Sequence, residues 1–122
     1  ELKAAHDRGV EIYLFSFCQL PMDFGNTISY DLDEVDLLKI WNPKAILVVD
    51  QTVSIMGSTM EESSSRAIWT RNRAITEIAT NHIVLDITLA GQRLDIDVNP
   101  VTNKMMRRAN NQLDHLLQKS ET

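Results

Sequence analysis

Two short apolar runs in VVDQTVSIMGST, residues 48–59, end in side chains that could take part in chemistry. The first run ends in Asp50 and the second in Gly57-Ser58, with no basic residue between them. One interpretation of this stretch is the remains of a phosphate-chemistry site. The simpler alternative is a β-hairpin that ends in Gly-Ser. The choice between them separates an enzyme from a binding domain.

A second group of functional side chains lies in RAIWTRN, residues 66–72. Trp69 ends a predicted strand, and Arg71 follows at a helix start, so an aromatic face and donors meet where α/β folds bind ligands. The alternative places Trp69 in the core and makes Asn72 the N-cap of the next helix. The two stretches together give four candidate ligand-binding residues: Asp50, Ser58, Trp69 and Arg71.

The other polar clusters favour structure over catalysis or metal binding. The three histidines and the single cysteine lack the short spacings of zinc sites. We expect His82 to be a core or interface residue and His115 to face solvent. The acidic residues between positions 31 and 36 suit a capped helix start and lack the glycine and distal glutamate of a calcium loop. With no G-x-S-x-G turn and no glycine-rich phosphate loop, we predict no metal, no cofactor and no catalytic residue.

Composition narrows the function further. The chain has 122 residues, 43% of them hydrophobic, which suits one domain with a core. A net charge of −5 disfavours nucleic-acid binding by this domain alone, because phosphate contacts need a basic surface. One cysteine suits a reducing compartment, and there is no membrane-spanning run and no signal-peptide pattern. We therefore predict a cytoplasmic protein without a membrane partner.

The elements that must position these side chains follow from apolar periodicity and capping signals. ELKAAHDRG is typical of the end of a helix stopped by Gly9, and a helix that feeds a strand usually follows an earlier strand, so we expect a piece of a longer protein. Strands are predicted at 10–17, 45–50, 52–57 and 66–70, a loop at 18–31, and helices at 32–41, from Asn72 to about Gly91, and from Asn99-Pro100 onward. The fold class is α/β: a mostly parallel sheet flanked by helices, with a C-terminal helical segment.

The C-terminal helix carries a narrow apolar seam. Met106, Ala109, Leu113 and Leu116 are spaced three, four and three residues apart, as in helix-on-helix packing. This seam is a candidate dimer interface. The alternative is that the helix packs on its own sheet, and so short a repeat leaves both open.

The spacing of Asp50 and Gly57-Ser58 resembles the second half of the phospholipase D signature, H-x-K-x4-D-x6-G-S. In that family the histidine is the nucleophile and the lysine binds phosphate. The matching positions here are Pro43 and Ala45, while Lys44 is one residue out of register. Neither proline nor alanine can attack phosphorus or neutralise a phosphate. The resemblance therefore implies a related fold without its chemistry.

The chain resembles the effector region of TrmB-like transcriptional regulators. The resemblance extends from the first helix and strand, through LVVDQTVSIMGS and RAIWTRN, to Leu85-Asp86-Ile87. The resemblance implies a phospholipase-D-like effector domain over residues 1–98 and a C-terminal helix over 99–122. It also implies a homodimer that senses a small molecule such as a sugar and reaches DNA only through an absent N-terminal winged-helix domain. In place of the strand-rich C-terminal domain of sugar-binding members, this chain has a helix.

Two further hypotheses stay open beside the sensing domain. One is a phosphodiesterase or nuclease half-domain related to phospholipase D, against which Pro43 and Ala45 argue. The other is a purely structural dimerisation module, in which side chains fill the former pocket.

Overall fold

The structure, a computed structural model, describes residues 1–20, 22–59 and 66–120, except for the side chains of residues 107–112. Its elements are, in chain order, α1 (Leu2–Asp7), β1 (Tyr13–Cys18), β2 (Asn26–Leu32), α2 (Glu34–Leu38), β3 (Lys44–Val49), β4 (Val53–Ser58), β5 (Ala67–Thr70), α3 (Arg73–Leu94) and α4 (Asn99–Ser120). The coarse class is a mixed α/β domain, as the sequence predicts.

The strands form two separate sheets, and both pack against α3. In one sheet β1 and β2 are parallel; in the other, β3, β4 and β5 form an antiparallel meander. The expectation of a mostly parallel sheet is therefore wrong for the described strands. The reason for the meander is the short β3–β4 connection, residues 50–52, since a parallel crossover needs about a dozen residues.

Strand β2 lies, except for Leu32, inside the segment that the sequence predicts as a loop, residues 18–31. Its sequence, NTISYDL, begins with polar residues and gives little apolar signal. The pairing of Tyr13 with Asn26 and of Phe15 with Ile28 supplies what the local sequence does not. Tertiary pairing thus overrides a weak strand propensity here.

Helix α3 begins and ends at two clear signals. The Asn72 side chain caps its start by accepting a hydrogen bond from the Ile75 amide at 3.1 Å, which is the role that the alternative interpretation of RAIWTRN gives it. At its end Asp95 adopts the left-handed conformation, with φ of 52°. The single long helix predicted from Asn72 is confirmed, and the strand-like alternation of HIVLDITL does not produce a strand.

Helix α3 has two apolar faces. The buried face is made mostly of small residues: Thr76, Ala79, Thr80, Ile87, Ala90 and Gly91. The helix packs on both sheets, and Gly91 lies against Val98 in the segment before α4. A second row, which we call the outer seam of α3, repeats at intervals of three and four residues: Ile75, Ile78, His82, Leu85 and Leu89. Each of its aliphatic members is at least 40% exposed, and Ile78 and Leu85 reach 68% and 67%. An ordinary surface helix has one apolar stripe.

Helix α4 is attached to the domain near its start. Val98, just before the helix, and Thr102 are buried, and the Gln51 side chain donates a hydrogen bond to the Met105 carbonyl at 2.7 Å. Further along, Leu113 and Leu116 of the predicted seam are more than half exposed, whereas Met106 is partly buried. The side chain of Ala109 lies outside the described part of the structure.

Candidate functional site

Two cavities lie along one gap between β1 and β3, with α3 beside them. The larger has a volume of about 320 Å³, and its lining includes the whole of β1 together with Lys44 and Ile46 of β3 and His82, Ile83 and Asp86 of α3. The smaller has a volume of about 250 Å³ and is bordered by Glu11, Tyr13, Val48, Asp50, Gln51, Thr80, Ile83, Lys104 and Met105. Tyr13 and Ile83 border both cavities, so the two cavities are neighbours that share part of their lining.

An aromatic cluster forms one wall of the larger cavity. The Phe17 ring lies 5.2 Å from Trp41 and 5.6 Å from Tyr30, measured between centroids, and Phe15 lies 5.3 Å from Phe17. The Lys44 ammonium sits 4.6 Å from the centroid of the Trp41 ring, within the range of a cation–π contact. The wall is thus apolar, with the Lys44 ammonium at its rim.

A histidine–carboxylate pair borders the same cavity. His82 Nε2 lies 3.2 Å from Asp86 Oδ2, one helical turn away, and the His82 side chain is 49% exposed. Of the two predicted places for His82, the core is therefore wrong, and an interface stays a prediction. Such a pair can act as a general base where a nucleophile is bound to it. Among the described residues no hydroxyl or thiol is hydrogen-bonded to His82. The Ser16 hydroxyl, which borders the same cavity, accepts a hydrogen bond from the Cys18 amide.

The smaller cavity is lined by polar groups from distant parts of the chain. The Tyr13 hydroxyl donates to Glu11 Oε2 at 2.9 Å, and Lys104 Nζ lies 3.7 Å from Glu11 Oε1. A hydrogen bond with the Tyr13 hydroxyl, and then the charge of Glu11, raise the pKa of Lys104 above its ordinary value. These contacts join β1, the segment before it and α4 around one opening.

Asp50 borders this opening because of the turn between β3 and β4. Asp50 and Gln51 have φ of 50° and 55°, and the Thr52 amide donates to the Val49 carbonyl at 3.0 Å. Two consecutive residues with positive φ are the mark of a type I′ turn, whose twist matches a hairpin. Aspartate tolerates this conformation better than most residues, whereas glutamine is uncommon in it.

The structure separates the four predicted ligand-binding residues. Asp50 lies at the turn of the hairpin, while Ser58 pairs with Lys44 at the opposite end, roughly 17 Å away along β4. Trp69 is 62% exposed, so it is not the core residue of the alternative interpretation, and neither it nor Arg71 borders either cavity. Of the four, Asp50 lies at one of these two cavities.

Several residues at the gap were not among the predicted ones. The spacing of His82 and Asp86 by four residues is a signal that the sequence does contain. Lys104 and Glu11 are 93 positions apart (104 minus 11), and no local pattern connects them. Their meeting depends on the path of α4 beside α3.

No family model, curated protein or solved structure matches this chain. Within the described residues, no group of three or more histidine, cysteine or acidic side chains is arranged to hold a metal ion. In that same part of the chain, no helix combines the length and the apolar character needed to cross a bilayer.

Proposed function

We propose that this chain is a non-catalytic ligand-sensing and dimerisation domain of a TrmB-like transcriptional regulator. The observation that carries the proposal is the smaller cavity, in which the Asp50 turn, the start of β1 and helix α4 meet. A ligand held there contacts both the sheet and a helix that offers a surface to a second copy. DNA binding would belong to a separate winged-helix domain, as in the family that the sequence resembles.

The lining suits a small polyhydroxylated ligand such as a sugar. Asp50 and Glu11 provide carboxylates that accept hydrogen bonds from hydroxyl groups, and Lys104 provides a donor. The Tyr13 ring supplies an apolar surface beside them. A few polar groups around an apolar wall are what small-molecule sites usually have, and about 250 Å³ limits the ligand to a small one.

The contacts around the cavity offer a route from ligand to dimer. Gln51 is bound to the Met105 carbonyl and Lys104 to Glu11, so α4 is held to the rest of the domain at the cavity rim. A ligand that competes for these groups changes the free energy of that attachment. Because Leu113 and Leu116 lie further along the same helix, a change in its position would alter how two copies meet.

The outer seam of α3 is a second surface that supports dimerisation. Its three-and-four spacing over Ile75 to Leu89 is the pattern by which one helix packs into another. Large exposed aliphatic groups on one stripe usually mark an interaction surface. The seam of α4 and the outer seam of α3 are therefore both candidate dimer contacts.

The phosphodiesterase alternative has less support. Pro43 borders the larger cavity at the position where the resembled signature has its histidine, and proline has no nucleophilic atom. Ala45, at the lysine position, pairs with Gly57 in the hairpin. His82 is the one imidazole at the gap among the described residues, and its neighbour is a carboxylate.

Isothermal titration with neutral monosaccharides, disaccharides and their phosphate esters tests the proposal. We expect one class to bind, and we expect Asp50→Asn to weaken binding about tenfold or more, because a hydrogen bond to a charged group is lost. Asparagine keeps the shape and tolerates the positive φ of the turn.

Asp31→Asn is the matched control for that titration, since Asp31 also has positive φ, 53°, and borders neither cavity. It should bind as the unmodified chain does. Equal loss in both variants would argue against a site at Asp50. Hydrolysis of bis(p-nitrophenyl) phosphate that disappears in His82→Ala would favour the phosphodiesterase instead.

A further inference from the structure

One part of the larger cavity has a lining that the smaller cavity does not share. Phe17, Leu37, Trp41 and Lys44 border the larger cavity, and none of them borders the smaller one. We call the part that these four residues define the Trp41 end of the cavity. The Trp41 amide donates a hydrogen bond to the Leu37 carbonyl at 2.9 Å, so the turn that follows α2 fixes the backbone of the tryptophan.

The Trp41 end offers apolar surface to a ligand. The Phe17 ring lies 5.2 Å from the Trp41 ring between centroids, and Leu37 and Ile46 also border the cavity. Trp41 is 40% exposed, so part of its surface remains in contact with water. Burial of aromatic surface is a large source of binding free energy, and aromatic rings pack well against one another. The wall therefore suits a ligand with an aromatic body.

Lys44 supplies a positive charge at the same end. Its ammonium lies 4.6 Å from the centroid of the Trp41 ring, and no carboxylate among the described residues forms an ion pair with it. The ring contact restricts a long side chain, so less rotamer entropy is lost when the ammonium binds an anion. Beside apolar surface, a hydrogen bond between an ammonium and a carboxylate is stronger than in bulk water, because the local dielectric constant is lower.

The carboxylate at this cavity is less available to a ligand than the ammonium. Asp86 Oδ2 lies 3.2 Å from His82 Nε2, one helical turn away on α3. A cationic ligand would have to compete with the imidazole for Asp86, and it would have to displace the Lys44 ammonium from the face of Trp41. The arrangement of charges therefore favours an anionic head group.

We propose that the Trp41 end of the larger cavity binds a small aromatic monocarboxylate, whose carboxylate contacts Lys44 and whose ring packs against Phe17 and Trp41. A cavity of about 320 Å³ has room for one ring with a short chain. The two cavities share Tyr13 and Ile83 in their lining, and the proposed contacts use neither residue. This site is therefore independent of the proposed sensing function, which uses the smaller cavity.

The two tryptophans of the chain allow fluorescence to locate the binding site. The probe is phenylacetate, and its matched controls are phenethyl alcohol and phenethylamine, which have the same ring with a neutral or a cationic head group. In Trp69→Phe, we expect added phenylacetate to shift the emission of Trp41 to shorter wavelength until the site is saturated, because the bound ring excludes water. Trp41→Phe keeps Trp69, which borders neither cavity, and its emission should not shift.

Substitution of Lys44 tests the recognition of the head group. Lys44→Gln should weaken phenylacetate binding about tenfold or more, because a hydrogen bond between charged groups is lost, and should change the affinity for phenethyl alcohol less than about twofold. Lys44→Arg keeps the charge and should retain most of the affinity. The matched control is Lys39→Gln, since Lys39 pairs with Asp36 on the surface and borders neither cavity. It should bind phenylacetate as the unmodified chain does.

Four results would each overturn the proposal. They are no emission shift at millimolar phenylacetate, a shift of Trp69 in place of Trp41, tighter binding of phenethylamine than of phenylacetate, and equal losses of affinity in Lys44→Gln and Lys39→Gln. Binding of phenylacetate without binding of any sugar would refute the sensing function and support this site. Binding of a sugar without binding of phenylacetate would refute this site and leave the sensing function standing.

Discussion

Helices α3 and α4 are both 22 residues long, but they meet the rest of the molecule in different ways. α3 contacts four strands, and its buried face consists mainly of small residues that let the sheets approach closely. α4 is attached through Thr102 and Met105 near its start, and its later leucines are exposed. A helix without packing partners is marginal in water. The difference shows that α3 is held by the sheets along its length, whereas the described leucines in the later part of α4 are not buried by the domain.

The largest effect is expected on the buried face of α3. Ile87 is 1% exposed, so Ile87→Ala should lower the free energy of unfolding by about 3 kcal/mol, through lost burial and the cavity left behind. Leu85→Ala, on the outer seam, should cost less than about 0.5 kcal/mol in dilute protein. Urea unfolding measures both. Equal losses would show that the two faces of α3 do not differ as described.

The next largest loss of stability is expected at Gly91, where α3 lies against the segment that leads to α4. A Cβ at Gly91 would lie 2.7 Å from Val98 Cγ2 and 3.0 Å from the Ile96 carbonyl oxygen, and the backbone atom cannot move aside cheaply. Overpacking of about 1–3 kcal/mol outweighs the gain of about 1 kcal/mol in helix propensity. We therefore expect Gly91→Ala to lower thermal stability, while the exposed neighbour Gln92→Ala leaves it nearly unchanged. A stabilised Gly91→Ala would contradict the close contact between α3 and the segment that leads to α4.

Two double variants compare the proposed dimer surfaces. Ile78→Gln with Leu85→Gln removes the centre of the outer seam of α3, and Leu113→Gln with Leu116→Gln removes the exposed seam of α4. We expect the first to weaken dimerisation more, about tenfold or greater in dissociation constant, because α3 is already rigid and loses less entropy on binding. Sedimentation equilibrium gives both constants. A chain that is monomeric before any substitution would refute dimerisation by this domain.

The smallest effect concerns the salt bridge that attaches α4. The pKa of Lys104 is raised above 10.5 in the folded protein, so its contribution is fully present below that pH and is lost as pH rises through the folded value. Lys104→Gln should lower the melting temperature slightly at pH 7, and the difference should disappear at strongly alkaline pH. In a Glu11→Gln background the same substitution should change the melting temperature less. A difference in melting temperature that grew as the pH rose would contradict this prediction.

Local signals in the sequence were sufficient to predict the type and position of most helices and strands. The long helix α3 starts directly after Asn72, and α4 begins at Asn99 ahead of Pro100, both as predicted. The apolar runs of β3 and β4 appear within a residue or two of their predicted bounds, with the turn at Asp50 between them. These features depend on interactions between neighbours in the chain, such as a cap or a tight turn, so a single sequence contains the information.

The sequence alone determined an α/β chain with two long final helices. It also showed Asp50 and Gly57-Ser58 at the spacing of the phospholipase D signature, with Pro43 and Ala45 at the positions of its histidine and lysine. Only the tertiary structure decided that β2 exists, that β3 to β5 are antiparallel, and that Lys104 reaches Glu11. Strand direction and long-range pairing depend on which edges meet after the chain has folded on α3. The same reason applies to the gap between β1 and β3, because a free edge is a property of two strands and not of either sequence.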